Sequence, residues 1–170
     1  SIKPKAPFTT SKLQQAAANK LGFTSRKTMQ IAQQLYEGVN IGSSRVGLIT
    51  YMRTDSVRIA QSALDEVRQW IKEKYPEDLP EKQIEYSVGK SAQDAHEAIR
   101  PTYMSNETIS GTPQEQKLYE LIWKRTLASQ MADAELEKTT VTISMSGNPE
   151  QFIATGEVVK FDGFLRVYRE

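Results

Sequence analysis

An α-rich α+β fold is expected of this 170-residue chain. Two observations predict it. Apolar residues recur at helical spacing through most of residues 1–131, and after Met131 the period switches to two. A helical domain over residues 1–131, followed by the start of a β-rich domain over residues 132–170, is the division this implies.

The first helix is expected from Thr10 to Leu21, with Leu13, Ala16, Ala17 and Leu21 on one face and Gly22 placed to end it. Thr24 or Ser25 can cap a second helix that carries Met29, Ala32, Leu35 and Tyr36 on its apolar face and ends at Gly38. Two short helices joined by a Gly-containing turn resemble a helix-turn-helix, as an ordinary helical hairpin also would. Arg26 and Lys27 in the first turn of the second helix are candidate nucleic-acid contacts. Residues 39–45 read as a polar Gly/Ser loop, leading into an extended run from Gly47 to Ser56.

Asp55 or Ser56 is expected to cap a third helix with the stripe Ala60, Ala63, Leu64, Val67, Trp70 and Ile71, broken at Pro76 and Pro80. A short strand is expected near residues 84–88, and one helical turn over residues 95–99, ahead of Pro101. Thr112-Pro113-Gln114-Glu115 has the form of a capping box with Pro at the first helical position. The long helix after it offers Leu118, Leu121, Ile122, Arg125, Ala128 and Met131 to one face. Thr139, Val141, Ile143 and Met145 then alternate with polar residues as a strand. Ser146-Gly147-Asn148-Pro149 turns the chain, residues 151–159 return as a second strand, and the end at Glu170 reads as another.

Cysteine is absent, which excludes disulfide and thiolate chemistry, and a single histidine, His96, excludes a His-rich metal site. No apolar run is long enough to cross a bilayer and no signal peptide is visible, so no membrane partner is expected and the cytoplasm is the expected compartment. The net charge of +1 hides an asymmetry: residues 1–58 hold nine Lys/Arg against two acids, a net of +7, which leaves −6 for the rest. A basic half of this kind fits a polyanion, and it also fits a solvated lysine surface.

Side chains at i and i+2 of an extended segment face the same way. Tyr51 and Arg53 are therefore expected to point at one locus, with Ile49 beside them. A phenol can attack phosphorus and a guanidinium can hold the phosphate under attack; the same alternation also occurs on edge strands with no chemistry.

The run Gly47-Leu48-Ile49-Thr50-Tyr51-Met52-Arg53-Thr54-Asp55-Ser56 resembles the active-site tyrosine motif of type IA DNA topoisomerases, with Met after the Tyr as in the bacterial enzymes. Gln93-Asp94-Ala95-His96-Glu97-Ala98-Ile99-Arg100-Pro101 resembles that family's histidine motif, and Pro7-Phe8-Thr9-Thr10-Ser11 with Leu13-Gln14-Gln15-Ala16 resembles the segment that precedes the tyrosine. Three blocks in the family's order cover most of the chain up to Pro101, and the remainder matches more loosely.

The resemblance implies a piece of a toroidal, multi-domain enzyme of the bacterial nucleoid, with residues 1–131 in its central domain and residues 132–170 opening the hinge or arch. It implies a phosphotyrosyl intermediate in single-stranded DNA, reversible without ATP, that relaxes negative supercoils. Tyr51 carries over as nucleophile, Arg53 as phosphate and transition-state contact, and His96 as phosphate contact. Thr50, Asp55 and Arg100 match the motifs and take supporting roles. A phenol, with a pKa of about 10 in water, needs a positive field or a proton acceptor to attack.

The family's Toprim domain, which supplies a glutamate, a lysine and an Asp-x-Asp-x-Glu cluster for Mg²⁺, has no counterpart here. Asp133-Ala134-Glu135-Leu136-Glu137 is a partial echo that reads as a solvated acidic junction. No cofactor is expected in this chain, Mg²⁺ is expected in the full enzyme, and the partners are single-stranded DNA and the Toprim and remaining domains of the same polypeptide. The start at Ser1 rather than Met fits a central fragment, inactive alone. Two other readings share features with this one: a non-catalytic single-stranded DNA-binding module in which Tyr51 stacks on a base, and a segment of a reverse gyrase. A tyrosine recombinase would place its basic catalytic residues before the tyrosine, whereas His96 and Arg100 follow it.

Overall fold

The computed structural model describes residues 1–41, 44–86, 96–144 and 151–169. Helix α1 (Thr10–Leu21) begins where Thr9 accepts the Lys12 N–H at 3.3 Å, and it stops at Gly22, whose φ of +68° suits a left-handed C-cap. Helix α2 (Ser25–Glu37) is capped by Thr24 and stops at Gly38. Its buried face is Thr28, Ile31, Ala32 and Leu35, so the expected stripe is rotated: Met29 is half-buried and Tyr36 is exposed.

The expected loop at residues 39–45 is a small antiparallel hairpin of β1 (Val39–Ile41) and β2 (Ser44–Val46). Helix α3 spans Gln61–Lys74 and buries Ala63, Leu64, Val67 and Ile71, with Trp70 partly buried against the core. It starts several residues later than expected. Neither Asp55 nor Ser56 caps it; the capping position is Ala60, whose N–H donates to the Glu97 carboxylate at 2.7 Å. A 3₁₀ turn at Pro76–Asp78 follows α3. Residues 84–86 and 96–99 are neither strand nor helix, which corrects both short elements expected there; the rest of those two segments lies outside the described residues.

Helix α4 (Pro113–Ala128) has the full capping box, Thr112 with Glu115. The single apolar face expected of it is too narrow a description. From Leu118 onward nearly every residue is buried, including Tyr119, Trp123 and Thr126, because α1, α2 and α3 all pack on it. Strands β3 (Glu135–Ser144) and β4 (Gln151–Phe161) form a long antiparallel hairpin. The turn expected at residues 146–149 lies outside the described residues.

The strand expected at the end is not found: among the described residues none follows β4. A 3₁₀ turn at Gly163–Arg166 brings Phe164 and Tyr168 back into the helical core. Gly163 is required here: its φ is +51°, and a Cβ would sit 2.4 Å from the Ala132 and Asp133 carbonyl oxygens. Arg166 donates to the buried Asp78 carboxylate at 2.9 Å, and Ala132 N–H donates to the Asp78 carbonyl at 2.7 Å. Arg125 lies between the Phe8 and Tyr168 rings, at 4.6 and 5.1 Å from their centroids, and donates to Ala6 O.

Candidate functional site

The three sequence blocks singled out above meet in space. Phe8 pairs with Ile99 and Ile49 pairs with Pro101, each as an antiparallel bridge. The tyrosine segment therefore runs between the chain that leads into α1 and the chain that follows His96. On one side, the Thr10 hydroxyl donates to Met52 O at 2.7 Å and accepts the Thr54 N–H at 2.8 Å, while Thr10 N–H donates to Thr54 O at 2.9 Å. On the other, Thr50 N–H donates to Arg100 O at 2.9 Å, and the Thr50 hydroxyl donates to Ala98 O and accepts the Arg100 N–H. Thr102 closes the near end by donating to Gly47 O and Leu48 O. At the far end the Ser56 hydroxyl donates to His96 O at 3.0 Å. Backbone groups tied on both sides hold the segment in one conformation.

Side chains along it alternate from Tyr51 onward. Met52 and Ser56 are buried, and Tyr51, Arg53 and Asp55 are exposed. Tyr51 and Arg53 thus share the open face, as their spacing predicts. Ile49 does not join them. It is 1% exposed, because Leu48 and Ile49 are both enclosed where the segment passes between its two neighbours.

Tyr51 is 50% exposed and meets the Tyr36 ring edge-on, with centroids 5.3 Å apart. Arg53 lines an open groove of about 790 Å³ with Arg26, Ser25 and Met29, and with the amides of Gln14, Gln30, Gln33 and Gln34. Among the described residues no carboxylate lines it, although the Glu37 carboxylate accepts from the lining Gln33 amide at 2.8 Å. Two guanidiniums and four amides make a surface of hydrogen-bond donors suited to a phosphodiester.

Lys27 is not in that groove. It is half-buried, and its ammonium lies 5.1 Å from the Phe23 ring centroid. Asp55 and the His96 side chain are exposed, and His96 is tied to the segment through its backbone. Arg100 is part of the scaffold: its guanidinium holds Glu97 in a bidentate pair at 2.9 and 3.0 Å. Burial pushes the Glu97 carboxyl up, but its bonds from Arg100 and from the Ala60 N–H outweigh that and hold it below the usual carboxylate range.

Sequence reasoning missed Tyr36 as a neighbour of Tyr51, and the row of glutamines. The signal for the glutamines was present: Arg26, Gln30, Gln33 and Gln34 fall at helical spacing on the polar face of α2.

A fixed extended segment that presents a tyrosine and an arginine beside a basic, amide-lined groove is an arrangement suited to a phosphodiester chain. Comparisons with known proteins sharpen this. The family described as DNA topoisomerase matches residues 1–170. The chain is 53% identical over 173 residues to the DNA topoisomerase 1 of Treponema pallidum (strain Nichols), covering 99% of this chain and 23% of that protein. It is 49% identical to that of Rickettsia bellii (strain RML369-C), covering 98% of this chain and 22% of that one. The solved structure of full-length topoisomerase I from Thermotoga maritima superposes with a TM-score of 0.83 at 42% identity, covering 99% of this chain and 28% of that chain. This chain belongs to the DNA topoisomerase family, in its bacterial type IA branch. It spans less than a quarter of the length of these two curated relatives.

Proposed function

We propose that this chain is the tyrosine-bearing part of an enzyme that cleaves and religates single-stranded DNA through a phosphotyrosyl bond. The observation that carries the reading is the exposed Tyr51–Arg53 pair on a segment whose backbone is fixed on both sides, next to a groove lined by Arg26 and four glutamines.

The step follows from these residues. The Tyr51 oxygen attacks a backbone phosphorus, the P–O bond to the neighbouring sugar breaks, and a hydroxyl leaves. The ester keeps the bond energy, so attack by that hydroxyl reverses the step without ATP. Arg53 supplies positive charge to the phosphoryl oxygens, where charge builds in the transition state. His96, exposed at the end of the segment, offers a donor to the neighbouring phosphate. Thr50 and Arg100 set the strand's position, and Arg26 extends the contact along the groove.

Among the described residues no three His, Asp or Glu side chains gather as metal ligands, and no step here runs through Mg²⁺. We assign the ion and the remaining acids to a Toprim domain of the same polypeptide in a toroidal enzyme. The reading carries a cytoplasmic location, on nucleoid DNA. Among the described residues no helix is long and apolar enough to cross a membrane.

The test mixes this chain with a Toprim-bearing fragment and a labelled oligonucleotide, then resolves the products on a denaturing gel. A covalent protein–DNA band is expected. Oligonucleotide binding with no covalent band under any divalent-metal condition would favour a binding module, in which the Tyr36–Tyr51 pair serves as a stacking platform.

A further inference from the structure

We propose that Ser56 is a positioning residue for the cleavage step: its buried hydroxyl sets where the chain carries the His96 imidazole relative to Tyr51. The inference rests on the reading above, in which His96 donates to a phosphate beside the one attacked. Ser56 does not cap α3, since the Glu97 carboxylate takes the Ala60 N–H instead. Its hydroxyl is nonetheless buried, at 1% exposure, and engaged as both donor and acceptor. It donates to His96 O at 3.0 Å and accepts the Arg58 N–H at 3.1 Å. The Ser56 N–H is taken by the Thr54 hydroxyl at 3.1 Å. Residues 96–98 lie in no strand, so at this place a side chain makes the cross-link that a ladder makes elsewhere.

Thr54, which holds Ser56, is itself tied to Thr10 through its N–H and its carbonyl. The position of the tyrosine segment is thus passed to His96 by one hydroxyl. Beyond His96, the Ala98 N–H donates to Arg58 O at 2.8 Å, and Ala98 O accepts the Thr50 hydroxyl at 2.7 Å. Residues 96–98 are therefore registered on both ends of the tyrosine segment, on Thr50 beside Tyr51 and on Ser56 at the far end. Holding a carbonyl fixes the planar peptide unit that follows its residue, and with it the direction in which that residue's side chain leaves the backbone. The His96 side chain is exposed, so its placement depends on the backbone that carries it. Displacing a reacting or contacting group by about 1 Å can cost about 100-fold in rate.

The chain has a single histidine, so its imidazole ring protons give one set of NMR signals in the untagged protein. Titration with pentathymidylate is expected to shift them in the wild type and to shift them much less in Ser56→Ala. In the cleavage assay with a Toprim-bearing fragment and saturating oligonucleotide, Ser56→Ala is expected to slow adduct formation about tenfold. Oligonucleotide affinity, read by anisotropy, should stay unchanged. In a His96→Ala background the same substitution is expected to alter the rate by less than about twofold, because the group it positions is gone. Equal factors in the two backgrounds, or ring protons that respond alike in the wild type and Ser56→Ala, would mean that the hydroxyl only supports the fold, and would overturn the inference. Ring protons indifferent to the oligonucleotide in the wild type would overturn it too, leaving Tyr51 as nucleophile. If the wild type forms no adduct, the phosphotyrosyl reading fails, and the NMR titration alone decides the placement of His96. Should Ser56→Ala lose its circular-dichroism signature, Ser56→Cys keeps a side chain of similar size with a weaker donor and carries the same test in both backgrounds.

Discussion

The tyrosine segment and the segment from His96 to Pro101 lie side by side through paired backbones, yet they use their arginines in opposite ways. Arg53 lies open on the surface of a groove that, among the described residues, is lined by no carboxylate. Arg100, with a side chain 13% exposed, is held by both oxygens of Glu97. Both residues match the same family motifs. Of the two motif arginines, Arg100 is a structural tie because the Glu97 carboxylate holds it, and Arg53 lies on the open face of its segment.

Substitutions at four positions test this contrast. The largest effect is expected from Tyr51→Phe, which should abolish the covalent adduct when the chain is combined with a Toprim-bearing partner, and leave urea unfolding of the chain unchanged. A surviving adduct band would remove Tyr51 as nucleophile. Arg53→Ala comes next. Cleavage should slow by about 10²–10³, or about 3–4 kcal/mol of barrier, with little change in stability. Arg53→Lys should recover only part of the rate, because a point charge lacks the guanidinium fork.

Removing the Glu97 carboxylate should show the reverse profile. Glu97→Gln is expected to cost about 2–3 kcal/mol in unfolding free energy, through the charged hydrogen bonds from Arg100 and the Ala60 N–H. It should also change the acid limb. The Glu97 pKa is depressed in the folded chain, so its contribution is fully present above the ordinary carboxylate value and is lost as the pH falls through the folded one. Urea midpoints measured from pH 7 to pH 3 should therefore fall less steeply in Glu97→Gln than in the wild type. Equal slopes would show that the pair contributes nothing to stability. The smallest effect is expected from Tyr36→Ala, a loss of about 0.5–1 kcal/mol of ring–ring contact at Tyr51, seen as a modest drop in adduct yield with Tyr36→Phe near wild type.

Where the structure-forming signal was local, the sequence was readable. Thr9 with Gly22, Thr24 with Gly38, and Thr112 with Glu115 mark helix ends within a few residues of the cap. The start of α3 was not readable, because its cap is supplied by Glu97, 37 residues away. Ile49 was assigned to the open face by a period of two that assumes one buried side, whereas the segment is enclosed on both sides there. Tyr36 continued the apolar stripe of α2 but falls at its last turn, past the edge of the core. Phe164 and Tyr168 read as strand residues, and only the three-dimensional position of Ala132 and Asp133 around Gly163 shows why the chain turns instead. The shared orientation of Tyr51 and Arg53 depended on nothing beyond adjacent backbone geometry, and was legible for that reason.

Two glycines set how the small hairpin joins the tyrosine segment. A Cβ at Gly38 would lie 1.7 Å from Val46 O, and one at Gly47 would lie 2.8 Å from Tyr36 O. Leu48 N–H donates to Leu35 O beside them. The last turn of α2 is thus stapled to the start of the tyrosine segment, and the hairpin is a side excursion whose two ends return to one point. Closing such an excursion depends only weakly on its length, at about 0.6 kcal/mol per doubling. The span between Gly38 and Gly47 is accordingly a port for insertions or deletions: its length can change, or a reporter be grafted there, without shifting the register of Tyr51.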